Sequence, residues 1–208
     1  MIVVVEPYNQ HKYCRLMDEM FRLRARIFFD RLKWDVHVVD GRERDKYDDE
    51  EPVYIIHTDE QQREVKGSLR LLPTTGPTLL VDYFADTIPD AAHLSAPSIW
   101  EGTRFCLSED ILDKGQDGLL FASTVMITAL GELAVDAGIE SVVGNFDAAM
   151  LRLYRRLGCD FEILGSTWKY GQPVYLGIFP MSKPLLRKWK RKLASGRLSF
   201  TESAKLVA

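Results

Sequence analysis

Residues 118–137, GLLFASTVMITALGELAVDA, constrain the fold of this chain more than any other stretch. Placed at 100° per residue, their apolar side chains run nearly all round a helix, and a helix of that kind must be buried. Asp117 is placed to cap its start and Gly138 to stop its end. A chain of 208 residues, 46% hydrophobic, can build one sizeable domain with a core around such a helix. The start, MIVVVEPYNQ, lacks the basic and long apolar segments of a signal peptide. No apolar run is read as a membrane span. Cys14, Cys106 and Cys159 are an odd, widely spaced set, and His11, His37, His57 and His93 are scattered. Neither a disulfide framework nor a metal site is expected. The expected setting is the cytoplasm.

The remaining segments order themselves around this helix. IVVVE is a first strand. A helix is predicted from about Tyr8 to Phe29, with Tyr13, Leu16, Met17, Met20, Phe21, Leu23, Ile27 and Phe28 on one broad apolar arc. Residues 53–58 and 65–72 read as a strand pair joined by DEQQRE, and residues 99–107 as a further strand. SVVGNF is a buried strand, Asp147 caps a helix ending at Gly158, and FEIL, WKY and PVYLGIF supply the last strands. This order predicts an α+β fold: an α/β/α sandwich with a mostly antiparallel central sheet and a helix on each face, as in the N-acetyltransferase-like (GNAT-like) acyltransferases. The whole of 1–208 is expected to be one domain, with 183–208 a basic, partly helical tail. Fold alone does not assign an activity.

Several charges sit where charge is costly. Arg24 falls in the middle of the apolar helical arc, Arg70 lies within the strand GSLRLL, and Glu101 and Arg104 lie in WEGTRFCL. Asp45 and Asp48 belong to the acidic run 35–51, downstream of Phe28 and Trp34. Two readings follow from the residues. The charges form either a structural ion-pair network clamping the N-terminal segment to the sheet, or a site for a zwitterionic or cationic small molecule. In an ideal strand Glu101 and Arg104 point to opposite faces. A β-bulge is therefore predicted between Trp100 and Phe105, centred on Gly102.

The ordered set Arg24, Phe28, Trp34, Asp45, Asp48, Arg70, the RLLPTT corner and WEGTRF closely resembles the signature of the acyl-homoserine lactone synthases, the autoinducer synthases of quorum sensing. The second half matches through GNFDAAMLRLYRRLG. The resemblance implies transfer of an acyl group from a thioester to the α-amine of S-adenosylmethionine. Closure of the lactone then expels methylthioadenosine. S-adenosylmethionine is a substrate, and no cofactor or metal is implied. Glu101 is the implied base, because the family's motif places its base there, and a carboxylate can take the amine proton directly or through one water. Arg104 and Phe105 are grouped with it as catalytic candidates: no Gly-rich phosphate cradle follows the strand, so a backbone N–H near Phe105 is the expected oxyanion donor. Arg24, Phe28, Trp34, Asp45, Asp48, Arg70 and Thr103 are the implied S-adenosylmethionine residues. The aromatic pair would wall the adenosine or sulfonium, the carboxylates would hold the positive charges, and the arginines would neutralise carboxylates of substrate and enzyme.

Val125, Met126, Val143, Asn145, Met150 and Leu153 are candidates for an acyl pocket, although such residues also suit a plain core. The position at which 3-oxo-selective members carry Thr is here Gly144, which argues against a 3-oxo donor. Arg152, Arg155 and Arg156 form a basic edge that could dock an acyl-carrier protein or a coenzyme A thioester, or simply face solvent. The basic run 183–192 has the same two readings. A GNAT-type N-acyltransferase acting on a different amine would explain the fold but not Trp34, Asp45 and Asp48. A nucleic-acid-binding module would leave Glu101 and Arg24 without a role, and the net charge of −3 counts against it.

Overall fold

The computed structural model describes residues 1–169 and 171–203, with backbone only for 169 and 196–203. Tyr170 of the expected WKY strand and residues 204–208 of the basic tail lie outside the described residues.

Strand β1 (Ile2–Val5) leads through a 3₁₀ turn at Gln10–Lys12 into α1 (Cys14–Arg24). The helix therefore begins later than the pattern predicts, because Tyr13 breaks the helical backbone at φ −119°. It continues as a π-helical stretch, Ala25–Arg31, in which Leu32 N–H bonds the Ile27 carbonyl five residues back. Such wide turns concentrate at functional sites. A small hairpin, β2 (Val38–Val39) and β3 (Arg42–Glu43), follows within the segment that sequence reasoning leaves without a period. Then come β4 (Val53–Thr58), β5 (Val65–Pro73), the short helix α2 (Leu79–Tyr83) and β6 (Ile99–Leu107). The second half holds α3 (Glu109–Leu112), α4 (Gly115–Ala137), β7 (Ser141–Asp147), α5 (Ala148–Leu157), β8 (Glu162–Lys169), β9 (Gln172–Pro180) and α6 (Lys183–Ser203).

Seven strands form one sheet in the order β1-β4-β5-β6-β7-β9-β8. Every neighbouring pair is antiparallel except β6 and β7, which run parallel. This is the mostly antiparallel α+β sandwich that the sequence predicts. The pleat sorts side chains by parity. Ile55, Leu69, Leu71 and Val142 point to one face, under α4, α5 and α6, while Val3, Val5, Tyr54 and Ile56 point to the other, under α1.

Helix α4 begins at Gly115 with Lys114 at its cap position, so Asp117 sits in the first turn and not at the cap. Its end is as expected, with Gly138 left-handed at φ 73°. An 18-residue window of α4 has a mean hydropathy of 1.8, and by length and composition this helix could cross a membrane, contrary to the reading from sequence. Here it is packed in the core between the sheet and α6. The basic segment from Lys183 is likewise no free tail over its first turns. Leu185 and Trp189 are buried against α4, Lys190 pairs with Glu132 at 2.7 Å, and Lys192 donates to the carbonyls of Arg156 and Leu157.

Candidate active site at the strand fork

The parallel strands β6 and β7 are paired only through Ile99–Glu101 and Ser141–Val143. Beyond that they splay, and a cleft of about 1760 Å³ runs between them from one face of the sheet to the other. Two glycines allow the close approach where they part. A Cβ on Gly144 would stand 2.9 Å from the Gly102 carbonyl oxygen.

The predicted bulge is present, but at Arg104 instead of Gly102. Thr103 pairs with Arg70 and Cys106 with Ser68, so three steps on β6 match two on β5. Arg104 takes up the extra residue with a left-handed backbone, φ 56°. The bulge resets the parity of the strand. Glu101, Thr103 and Cys106 share the α1 face, Phe105 and Leu107 face α4, and Arg104 is freed to reach the same carboxylates as Arg70.

Those carboxylates form a buried network with three arginines. Arg24 donates from Nε to Glu43 at 2.5 Å and, through both terminal nitrogens, to Asp48 at 2.8 and 2.9 Å. Arg70 forks onto Asp45 at 2.5 and 3.0 Å, reaches Asp48 at 2.9 Å, and bonds Thr103 Oγ1 through its Nε. Arg104 bridges Glu43 and Asp45 at 3.1 and 2.8 Å. Tyr54 donates its hydroxyl to Asp48. Asp45 and Asp48 also form a reciprocal capping box on the 3₁₀ turn Lys46–Asp49. Burial pushes the Asp48 carboxyl up, but the Arg24 hydrogen bonds and charge, with Arg70 and Tyr54, more than offset this and hold it well below the usual range. Three guanidinium groups face three carboxylates, so the cluster is close to neutral.

This corrects part of the expectation from sequence. Arg24, Asp48 and Arg70 do not line the cleft: they are buried behind its wall, paired with one another and with Glu43 and Asp45 in the arrangement of the structural clamp. Asp45, Arg104, Thr103, Phe28 and Trp34 do line the cleft. Phe28 and Trp34 stack on each other at 5.0 Å, leaving no slot between them. Phe28 is buried, and Trp34 is the half-exposed ring that offers a surface. Glu43 completes the network and was missed: it lies in a two-residue strand, too short for any period to place it.

Glu101 stands at the fork, 1% exposed. Its two oxygens accept from Leu79 N at 3.0 Å and Leu80 N at 2.6 Å, the first amides of α2. Burial pushes its carboxyl up to about 7, against the lowering effect of those two amides and of Arg70. A carboxylate of that pKa, on the wall of a cleft, is matched to taking a proton near neutrality. Among the described residues no group of His, Cys, Asp and Glu could hold a metal ion.

The apolar arm of the cleft lies on the α4 face. Met150 and Leu153 line the cleft there, whereas Val143, which pairs with Glu101 in parallel register, and Asn145, of the same parity, line it from the Glu101 face. Val125 and Met126 do not: Met126 turns inward and is wholly buried in the core, and α4 presents Leu119, Ile127 and Leu130 to the cleft instead. A helix apolar all round does not reveal which stripe faces a cavity. Arg152, Arg155 and Arg156 are exposed along α5.

A sheet split between two parallel strands, with a cleft through the split and a buried carboxylate at its apex, defines an acyltransferase of the GNAT-like class. The chain superposes on a CoA-dependent acyl-homoserine lactone synthase, BjaI, solved with SAM and isopentyl-CoA, with a TM-score of 0.80 and 27% identity, covering 93% of this chain and 89% of that one. It superposes on the AHL synthase LasI with a TM-score of 0.75 and 28% identity, over 86% and 89% of the two chains. An acyl-homoserine-lactone synthase of Rhizobium etli is 46% identical over 181 residues, 86% of this chain and 84% of the relative. The family model described as autoinducer synthase matches residues 8–187, and the chain belongs to that family. Its activity is that of an acyltransferase, the synthesis of acyl-homoserine lactones.

Proposed function

We propose that Glu101, at the fork, is the base of this synthesis and that the two substrates meet beside it. The observation that carries this is a carboxyl raised to about 7 on the wall of the cleft, where the sheet opens. S-adenosylmethionine lies on the α1 face, over the exposed surface of Trp34 and near Asp45 and Arg104. The acyl thioester, carried by acyl-carrier protein or coenzyme A, extends from the fork along the α4 face, with Arg152, Arg155 and Arg156 at the carrier's approach. The setting is the cytoplasm.

The α-ammonium gives a proton to Glu101, directly or through one water, and the freed amine forms a C–N bond to the thioester carbonyl. The carbonyl oxygen becomes an oxyanion. The Phe105 N–H is the donor aimed at it. Ser108 N–H bonds the Lys66 carbonyl on β5, and counting back along β6 turns Cys106 toward β5 and Phe105 toward the open edge. Collapse breaks the C–S bond, and the carrier thiolate leaves and takes up a proton. The methionine carboxylate oxygen then attacks its own γ-carbon. The C–S⁺ bond breaks with its electron pair on sulfur, releasing neutral methylthioadenosine and the lactone.

Mass spectrometry of the protein mixed with S-adenosylmethionine and acyl-CoA or acyl-carrier-protein donors tests the reading. An acyl-homoserine lactone with equimolar methylthioadenosine is expected. A plain acylated amine without methylthioadenosine would overturn it. Glu101→Gln is expected to lower turnover about 10²–10⁴-fold, the usual worth of a general base. A near-normal rate would remove Glu101 from that role.

A further inference from the structure

We infer that Trp189, on the C-terminal helix α6, is the floor of the acyl arm and sets the longest chain the enzyme accepts. This rests on the assignment of the α4-face cleft to the acyl group. The family match ends at residue 187, two residues before Trp189.

The topology puts Trp189 at the far end of the cleft. The fork opens toward the C-terminal ends of β6 and β7 and is closed at Ile99 and Ser141. Helix α4 starts just after β6 and runs back toward the start of β7. It therefore passes from the open to the closed end, presenting Leu119, then Ile127, then Leu130 to the cleft. Pro180, the last residue of β9, pairs with Ser141 at the closed end, and Met181 and Trp189 follow from there. Both line the cleft. From Leu119 to Gly131, where the indole packs, is twelve helical rises, about 18 Å.

The seat of the indole is specific. Gly131 interrupts α4 where Ala would suit a helix better by about 0.8–1.0 kcal/mol. A Cβ there would meet the indole Cζ3 and Cε3 at 3.0 and 3.1 Å. The Lys190–Glu132 pair ties the adjacent residues of the two helices together. The indole is 3% exposed, and its Nε1 is buried without a hydrogen-bond partner among the described residues. A phenylalanine would fill the seat without burying an unpaired donor. The larger ring supplies reach into the cleft, which Phe would not.

Two substitutions push the floor in opposite directions. Trp189→Ala removes the ring, and an apolar void of that order holds a benzene-sized group, room for several more methylenes. Gly131→Ala presses on the indole, which also lines the cleft, and is expected to push it into the acyl arm. The assay is competition among acyl donors from butanoyl to hexadecanoyl on one carrier, with kcat/KM read for each and folding checked by circular dichroism. The expected result is an optimum displaced to longer chains in Trp189→Ala and to shorter chains in Gly131→Ala, with at least a tenfold change in the long-to-short ratio. Trp189→Phe keeps folding and gives a smaller shift to longer chains. A folded Trp189→Ala or Trp189→Phe with the wild-type length profile, or an equal loss at every length, overturns the assignment. If wild type forms no lactone from any donor, the proposed function fails instead.

Discussion

At the scale of single residues, Glu101 and Asp48 are two buried carboxyls whose environments push them apart. Burial dominates at Glu101, whose partners are two neutral amides, whereas Asp48 has two arginines and a tyrosine hydroxyl. Their contributions to stability therefore run in opposite directions with pH. The folded Glu101 titrates near 7 against an ordinary value of 4.5, so the folded state holds the extra proton in that window and loses stability as pH rises through it. Glu101→Gln forfeits one amide bond but has no such slope. Relative to wild type, its stability is expected to improve by up to about 3 kcal/mol between pH 4.5 and 7, measured by urea unfolding at several pH values. A gap that stays constant over that range would mean that Glu101 is not raised. Asp48 is the reverse: its folded value is depressed, so its stabilisation is complete above the ordinary 3.8 and is lost as pH falls below it. Asp48→Asn leaves three guanidinium groups with two carboxylates, Arg24 keeping Glu43 and Arg70 keeping Asp45, and the uncompensated buried charge is expected to cost about 3–5 kcal/mol at neutral pH. A loss under 1 kcal/mol would show that the clamp does not need it.

At the scale of elements, the fork depends on two glycines meeting across β6 and β7. The group a Cβ on Gly144 would strike is a backbone carbonyl of the paired strand, which cannot swing aside as a side chain can. Gly144→Ala is expected to destabilise by about 1–3 kcal/mol, in line with overpacking. It should lower kcat/KM for every donor, read by denaturant midpoint and turnover together. Unchanged stability would mean that the strands separate without cost. The elements also show what can be read from residues alone. Periodicity found α1, β4, β5, β6, α4 and α5, because each buries one face or all faces in a regular way. It found that β6 must bulge, since Glu101 and Arg104 otherwise diverge. It named the wrong residue, because glycine is the usual choice for a left-handed bulge and here Arg104 adopts φ 56° with its side chain tied to Glu43 and Asp45. The π-helical stretch after Arg24 and the two-residue hairpin carrying Glu43 have no period to detect. The face that α4 turns to the cleft, Leu119, Ile127 and Leu130 in place of Val125 and Met126, is settled by the neighbouring elements and not by its own sequence.

At the scale of the whole molecule, the sheet is a partition with one opening. The ion-pair clamp, the Phe28–Trp34 stack and Asp45 belong to the α1 side, and the apolar arm ending at Trp189 belongs to the α4 side. Glu101 lies at the opening and is held by α2, which is itself latched to the clamp: Asp82 accepts from Tyr47 Oη at 2.7 Å and from Lys46 Nζ at 2.5 Å. On the proposed function each side is loaded separately, with the chemistry confined to the place where they join. Trp34→Ala tests this division. The ring is 41% exposed and its loss opens no core cavity, so folding should survive. Removing one stacking surface should weaken S-adenosylmethionine binding by about 0.5–2 kcal/mol, the range of a cation–π contact. Acyl-donor binding, on the opposite face of the sheet, should stay within twofold, since separated sites that share no partners are close to additive. Calorimetric titration of each substrate alone measures both. Equal weakening of the two would mean that the faces are not independent and that Trp34 supports the fold of the cleft as a whole.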